Sequence, residues 1–181
     1  MATGSDAAAV AADLVKQLAG PNLRIAFVFA DWQLDAAILG REVHRGLGAP
    51  TVGGTTVGVV GPAHARDTSA AVGLGLYGDW VRVGIGVASE LPKSPLTRSR
   101  DAVHHAAAEL GRTVESLDPA RHVGITIVEG TTGHEEAFCI GSAAAAPKIR
   151  FVGGCTATEI GSDRRAAIWA NGEVMSDAGV V

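Results

Sequence analysis

The sequence predicts an α/β fold of layered, α+β character: two pseudo-symmetric β-α-β-β-β halves whose mixed sheets pack against helices. Three observations carry that prediction. The run Val52-Gly53-Gly54-Thr55-Thr56-Val57-Gly58-Val59-Val60-Gly61 recurs, without a gap, as Val152-Gly153-Gly154-Cys155-Thr156-Ala157-Thr158-Glu159-Ile160-Gly161. Short continuous apolar runs alternate with stretches of helical period around both copies. Each copy is followed by a hairpin signal, Gly78-Asp79 in the first and Asn171-Gly172 in the second. The chain therefore reads as one domain over 1–181, with repeat halves at 1–90 and 96–181. Equivalent loops of such a repeat are expected to face each other or a shared cleft.

The elements follow in order. Ser5 or Asp6 can cap a first helix whose apolar positions are Val10, Leu14 and Leu18, and Gly20-Pro21 stops it. Residues 24–30 form a continuous apolar run, expected to be a strand buried on both faces. Asp31 can cap the next helix, with a stripe of Ala36, Leu39, Gly40, Val43 and Leu47. A short strand over 50–52 then enters a Gly-Gly turn. Closing a hairpin at Gly78-Asp79 opposes Leu76 to Val81, Leu74 to Val83 and Val72 to Ile85, leaving a glycine-paved second face that suits close packing.

Residues 91–95 read as the linker between halves. Val103, Ala107, Leu110, Val114 and Leu117 mark a helix ended by Asp118-Pro119. A strand over 123–128 leads to a helix with a Thr132/Glu135 capping box and a stripe of Ala137, Ile140, Gly141 and Ala144. A strand over 149–152 enters the second Gly-Gly. Asn171-Gly172 has the type I′ signature and pairs Ala170 with Glu173, Trp169 with Val174 and Ile168 with Met175. The chain ends within its expected last strand, which leaves an open sheet edge as a route to a homo-oligomer.

Composition narrows the function. Apolar residues make up 47% of the 181 and aromatics 4%, so the core must be built from Val, Ile, Leu and Ala. A net charge of −4 with scattered Lys and Arg argues against nucleic acid or an anionic membrane as partner. No apolar run reaches the roughly 18–20 residues that span a bilayer. The first residues lack the basic start of a secretory signal, and two cysteines make no disulfide framework. The expected location is the cytoplasm.

Candidate ligand-binding residues come from the repeated motif and its flanks. Gly53, Gly54, Gly153 and Gly154 free backbone N–H groups, and Thr55, Thr56 and Thr156 add hydroxyls, so each turn could hold a small anionic or polar group. The same glycines would equally serve a sharp turn and close packing. Neither copy is a P-loop, since no Gly-Lys-Ser/Thr follows, and neither opens a helix as a dinucleotide fingerprint does. Asp31 and Glu129 end equivalent strands and could bind an amine, act as acid and base, or cap helices. Cys155 stands where the first copy has Thr55. As a nucleophile it needs a basic neighbour, and the sequence offers only His134 nearby.

Cys139 reads as a packed helix residue. His44, His64, His104, His105, His122 and His134 show no chelating spacing, which leaves no metal site. No cofactor is expected; a non-covalent haem would need one axial His in an apolar pocket. Trp32, Trp80 and Trp169 could line an apolar pocket or brace hairpins.

Several of these segments resemble the N-terminal domain of the FIST family, the F-box and intracellular signal transduction proteins. They are residues 24–31, Ala49-Pro50-Thr51-Val52-Gly53-Gly54-Thr55-Thr56, and Phe151-Val152-Gly153-Gly154. The closing run Ile168-Trp169-Ala170-Asn171-Gly172-Glu173-Val174 with Asp177-Ala178-Gly179-Val180-Val181 completes the set. Their order and spacing span 20–181. The resemblance implies a sensory module for a small ligand such as an amino acid, with a C-terminal FIST domain or signalling protein as partner. It also implies a link to haem-containing nitric-oxide sensors. Where the family often has a Gly-Gly-x-Ala-Gly-Asp-like run, this chain has Gly153-Gly154-Cys155-Thr156-Ala157-Thr158. Two alternatives stand beside a sensor: a cysteine- or carboxylate-dependent enzyme, and a protein-interaction or oligomerisation module.

Overall fold

The computed structural model describes residues 1–61, the backbone of 65–66, and 69–181. His64 lies outside the described residues. Strands and helices interleave in an α/β arrangement with two mixed sheets. The chain forms two compact units: Met1–Val81 with Thr156–Met175, and Arg82–Cys155 with Ser176–Val181. These units cut across the sequence halves: the first takes 156–175 from the second half, and the second takes 82–90 from the first.

The first unit opens with β1 (Ala2–Thr3) and α1 (Ala7–Leu18). Asp6 is the cap of α1, accepting from Ala8 N at 2.9 Å, and Val10, Leu14 and Leu18 form its buried face. Next come β2 (Leu23–Asp31), α2 (Ala36–Leu47), β3 (Thr51–Thr56), β4 (Val59–Val60), β5 (Ala65–Arg66) and β6 (Ala70–Tyr77). The segment returning from the end of the chain supplies β10 (Ile168–Ala170) and β11 (Glu173–Met175). The main sheet has the order β1-β6-β2-β3-β10-β11. Within it β2 and β3 are parallel, joined through α2. Ala26, Val28 and Ala30 of β2 pack with Leu14 of α1, Leu39 and Val43 of α2, and Trp169 of β10.

The Asn171-Gly172 hairpin forms in the predicted register, with φ of 50° and 81° at its two central residues. Both positive values are what a type I′ turn requires. Its Asn171 also accepts from Thr51 N, tying the turn to β3.

The Gly78-Asp79 hairpin does not form. β6 pairs with β2 over 71–77 and with β1 only at Ala70 and Ala71, while the backbone at Gly84 and Gly86 packs on the helix over 95–109 instead of returning along β6. Gly78 N instead bonds Asn22 O at 3.0 Å, and Val81 N bonds Gly78 O. The glycines expected to face each other approach helices: a Cβ on Gly73 would lie 2.5 Å from Leu18 of α1. Trp80 is exposed and braces nothing, whereas Trp169 is buried against Gly40 of α2.

The second unit contains β7 (Val87–Ala88), α3 (Pro95–Glu109), β8 (Val123–Glu129), α4 (Glu135–Ala145), β9 (Arg150–Thr156) and β12 (Gly179–Val180). Thr156, which closes β9, falls at the start of the returning segment of the first unit. The sheet order is β7-β12-β8-β9. A 3₁₀ turn over Leu91–Lys93 stands where a linker was expected, and α3 starts at Pro95. The helix ends at Glu109 rather than near 117, with Val114 in a separate 3₁₀ turn over Val114–Ser116. Backbone of 84 and 86 runs so close to α3 that a Cβ on Gly86 would sit 1.8 Å from Ala102 O.

Helix α4 buries Phe138, Gly141 and Ser142, a face displaced by one residue from the predicted stripe, and Ile140 is exposed. Phe138 takes the inward position because its ring fills the space beside Gly179, Ala88 and Leu91. The capping box is absent, since Thr132 Oγ1 donates to Glu129 O at 3.1 Å instead. The last strand, β12, is interior: Val180 pairs with both β7 and β8, and Val181 exchanges two backbone bonds with Gly86. The expected open edge is therefore not at the chain end.

Candidate functional site

The site is built at the carboxyl ends of β2 and β3, the place where adjacent parallel strands commonly receive ligands. Register pairs Phe29 with Gly54, Ala30 with Thr55 and Asp31 with Thr56. Asp31 is the last residue of β2 rather than a helix cap; Asp35 caps α2, accepting from Ile38 N at 2.9 Å. Asp31 Oδ1 accepts from Gln33 N at 2.9 Å, closing a tight turn, and Asp31 O accepts from Leu34 N. The side chain is 1% exposed, yet among the described residues no donor reaches Oδ2.

Both glycine pairs lie inside strands rather than in turns. On β3 a Cβ at Gly54 would lie 2.1 Å from Thr156 Cγ2 and 2.6 Å from Ala167 O. Only glycine lets the chain at 156 and 167 come this close. Thr55 then clamps both ends of the loop over residues 157–167. Its carbonyl accepts from Ala157 N at 2.8 Å, its N–H donates to Ala167 O at 2.9 Å, and its hydroxyl oxygen accepts from Ala167 N at 2.9 Å. Thr56 turns away to bond Gly58 O locally.

Sequence reasoning missed Thr158 and Arg164 of this loop, whereas Thr156 just before it is among the residues expected to bind. Thr156 and Thr158, at its start, hold buried hydroxyl oxygens that have no partner among the described residues. Arg164, near its end, lies over the ring of Trp32, 5.9 Å from the centroid, next in sequence to Asp31. A buried polar oxygen without a partner costs free energy, typically about 1–3 kcal/mol. Three such oxygens lie on Asp31, which ends β2, on Thr156, which packs against Gly54 of β3, and on Thr158, two residues further along the chain.

In the second unit Glu129 ends β8 as Asp31 ends β2, but its carboxylate is fully used. Thr131 Oγ1 donates to Oε1 and Asp177 N to Oε2, and the residue is completely buried. Gly153, Gly154 and Cys155 lie exposed on β9, an edge of the sheet. A Cβ on Gly153 would strike Thr126 O, whereas Gly154 faces open space. Burial raises the Cys155 thiol pKa, and Glu135 and Cys139 push it further up. The causes of that shift include no basic group, whereas an activated thiolate needs one beside it.

Cys139 is exposed, not packed. None of the described histidines is buried: His44 Nδ1 meets Ala49 O at 3.2 Å, His105 faces Glu109, and His122 bonds the backbone of Asp118. An axial haem ligand in an apolar pocket finds no candidate among them. No group of three His, Cys, Asp or Glu residues able to hold a metal occurs among the described residues. No described helix is long and apolar enough to cross a membrane.

The chain is an α/β module with two mixed sheets, and in its first unit Asp31, Thr156 and Thr158 carry buried oxygens without a hydrogen-bond partner. Comparison with family models makes the assignment specific: residues 24–181 match the FIST N domain, and the chain belongs to that family. The family is one of sensory domains in signal transduction. None of the curated proteins matches the chain.

Proposed function

We propose that this chain is a sensory domain that binds a small ligand at the carboxyl ends of β2 and β3, under the loop over residues 157–167. The observation that carries the reading is the set of buried, donorless oxygens on Asp31, Thr156 and Thr158. A ligand that completes their hydrogen bonds gains what the unliganded chain forgoes. Gly54 and Thr55 act by holding the loop in place, and Gly53 lets β3 lie close to Val28 and Trp169. Signalling follows if the ligand favours one arrangement of that loop over another. Two free, exposed cysteines suit a reducing, cytoplasmic site of action.

A thermal-shift screen of small metabolites tests this reading on the wild type and on Asp31→Asn. The expected hit raises the melting temperature of the wild type and not of the variant. A hit that stabilises both equally would move the site elsewhere and end this proposal.

A second reading, interaction through a sheet edge, is favoured by β9. This edge strand exposes Val152, Gly153, Gly154 and Cys155. Light scattering after size exclusion decides it: a dimer that Val152→Lys dissolves would support pairing along β9, and a monomer at all concentrations would remove it.

A further inference from the structure

The acceptors at the end of β2 define the ligand group that fits them, and this step rests on the binding site proposed above. We infer that the group seated at Asp31 is a protonated primary amine. Asp31 Oδ2 is an anionic acceptor with no protein donor, and the hydroxyls of Thr156 and Thr158 are the unpartnered oxygens brought to the same end of the sheet. Three structural links bring them there: the Asp31–Thr56 register pair, the bond from Ala157 N to Thr55 O, and the packing of Thr156 Cγ2 against Gly54.

An ammonium group offers three N–H donors on one compact charge, matching three acceptors from three residues. A carboxylate or phosphate brought to the same place would meet the Asp31 charge at low dielectric and be repelled. A divalent cation is disfavoured because one carboxylate is too little charge, in line with the absence of a three-ligand cluster among the described residues. The Arg164 guanidinium of the loop over residues 157–167 lies over the Trp32 ring, 5.9 Å from its centroid.

The experiment uses the full chain and three probes of similar size: propylammonium, propanol and propionate. Amide resonances of Gln33, Thr55 and Ala157 report on the site, being bonded to or part of it. Two variants accompany the wild type. Asp31→Asn keeps an Oδ1 acceptor for Gln33 N, and Thr156→Val keeps the methyl that packs on Gly54. The expected result is that propylammonium alone moves these amides, and that Asp31→Asn weakens its binding by about tenfold or more, the size of a charge-assisted hydrogen bond. Thr156→Val weakens it by a smaller factor. If propanol or propionate moves the same amides as strongly, and Asp31→Asn changes nothing, the ammonium assignment fails while the site stands. If no probe moves them, both fall.

Discussion

Asp31 and Glu129 end corresponding strands, and the difference between them is a difference in partners. Glu129 is held by the Thr131 hydroxyl and the Asp177 amide, so it braces the chain where Asp177 adopts φ of 52°. Replacing it by Ala removes the acceptor of both groups and should cost about 3 kcal/mol, whereas Gln, which keeps an oxygen, should cost less. Urea denaturation of the two variants gives the ranking, and equal losses would contradict it. Asp31 should behave oppositely. Its Oδ2 has no donor to lose, so Asp31→Asn is expected to leave stability unchanged or slightly raised while it weakens binding by about tenfold or more. A large loss of stability would mean that the carboxylate is structural. Cys155 gives a third residue-level prediction. Burial, Glu135 and Cys139 raise its pKa, so less thiolate is present at neutral pH than for a free thiol, and labelling by a maleimide should be slow there and accelerate only at higher pH. Glu135→Gln removes one of the opposing charges and should speed the reaction near neutrality. A rate as fast as that of free cysteine would point to an activating base.

Elements differ in how far local sequence specifies them, and the two hairpin signals show why. Asn171-Gly172 specifies both positive φ values by itself, and its flanking residues pair as their order requires. Gly172→Ala should therefore cost about 1 kcal/mol from its φ of 81° alone. A new Cβ 3.2 Å from that of His44 adds to the loss, and a melting curve measures the sum. Gly78-Asp79 carries a similar signal, but β6 pairs with β2, 41–54 residues earlier in the chain, and the backbone at Gly84 and Gly86 packs on α3, and no local rule weighs those partners. The helices are legible to within a turn at their starts. The inward face of α4 shifts by one residue because the space for Phe138 is made by Gly179 and Leu91, far away in sequence. The site divides in the same way. Asp31 and Gly53-Gly54-Thr55 could be read from the strand-helix-strand pattern, since a strand end must lie there. Thr158 and Arg164 could not, because they reach the site through Thr55, which bonds Ala167 across 112 positions.

The way the two units share the chain makes a prediction at the scale of the molecule. The sequence places its boundary near residues 91–95, and a cut there would separate the two apparent halves. The structure instead divides the chain at 81, 155 and 175, so that each unit is completed by a segment from beyond that boundary. A fragment of residues 1–93 retains β2, α2 and β3 but loses β10 and β11. The edge of β3 is then bare, Thr55 loses all three bonds to Ala157 and Ala167, and the core loses Trp169. Truncating one buried aromatic side chain commonly costs about 3–5 kcal/mol, a large share of what holds a small domain together. The complementary fragment, 94–181, loses β7, the paired bonds between Gly86 and Val181, and the bond from Leu91 N to Asp177 O beside Glu129. Neither fragment should melt cooperatively alone. Mixed, they should recover a cooperative transition and the amide pattern of the intact chain, since every lost partner is then restored. A fragment of 1–93 that melted cooperatively alone would mean that the returning hairpin is an accessory to the first unit rather than part of its core.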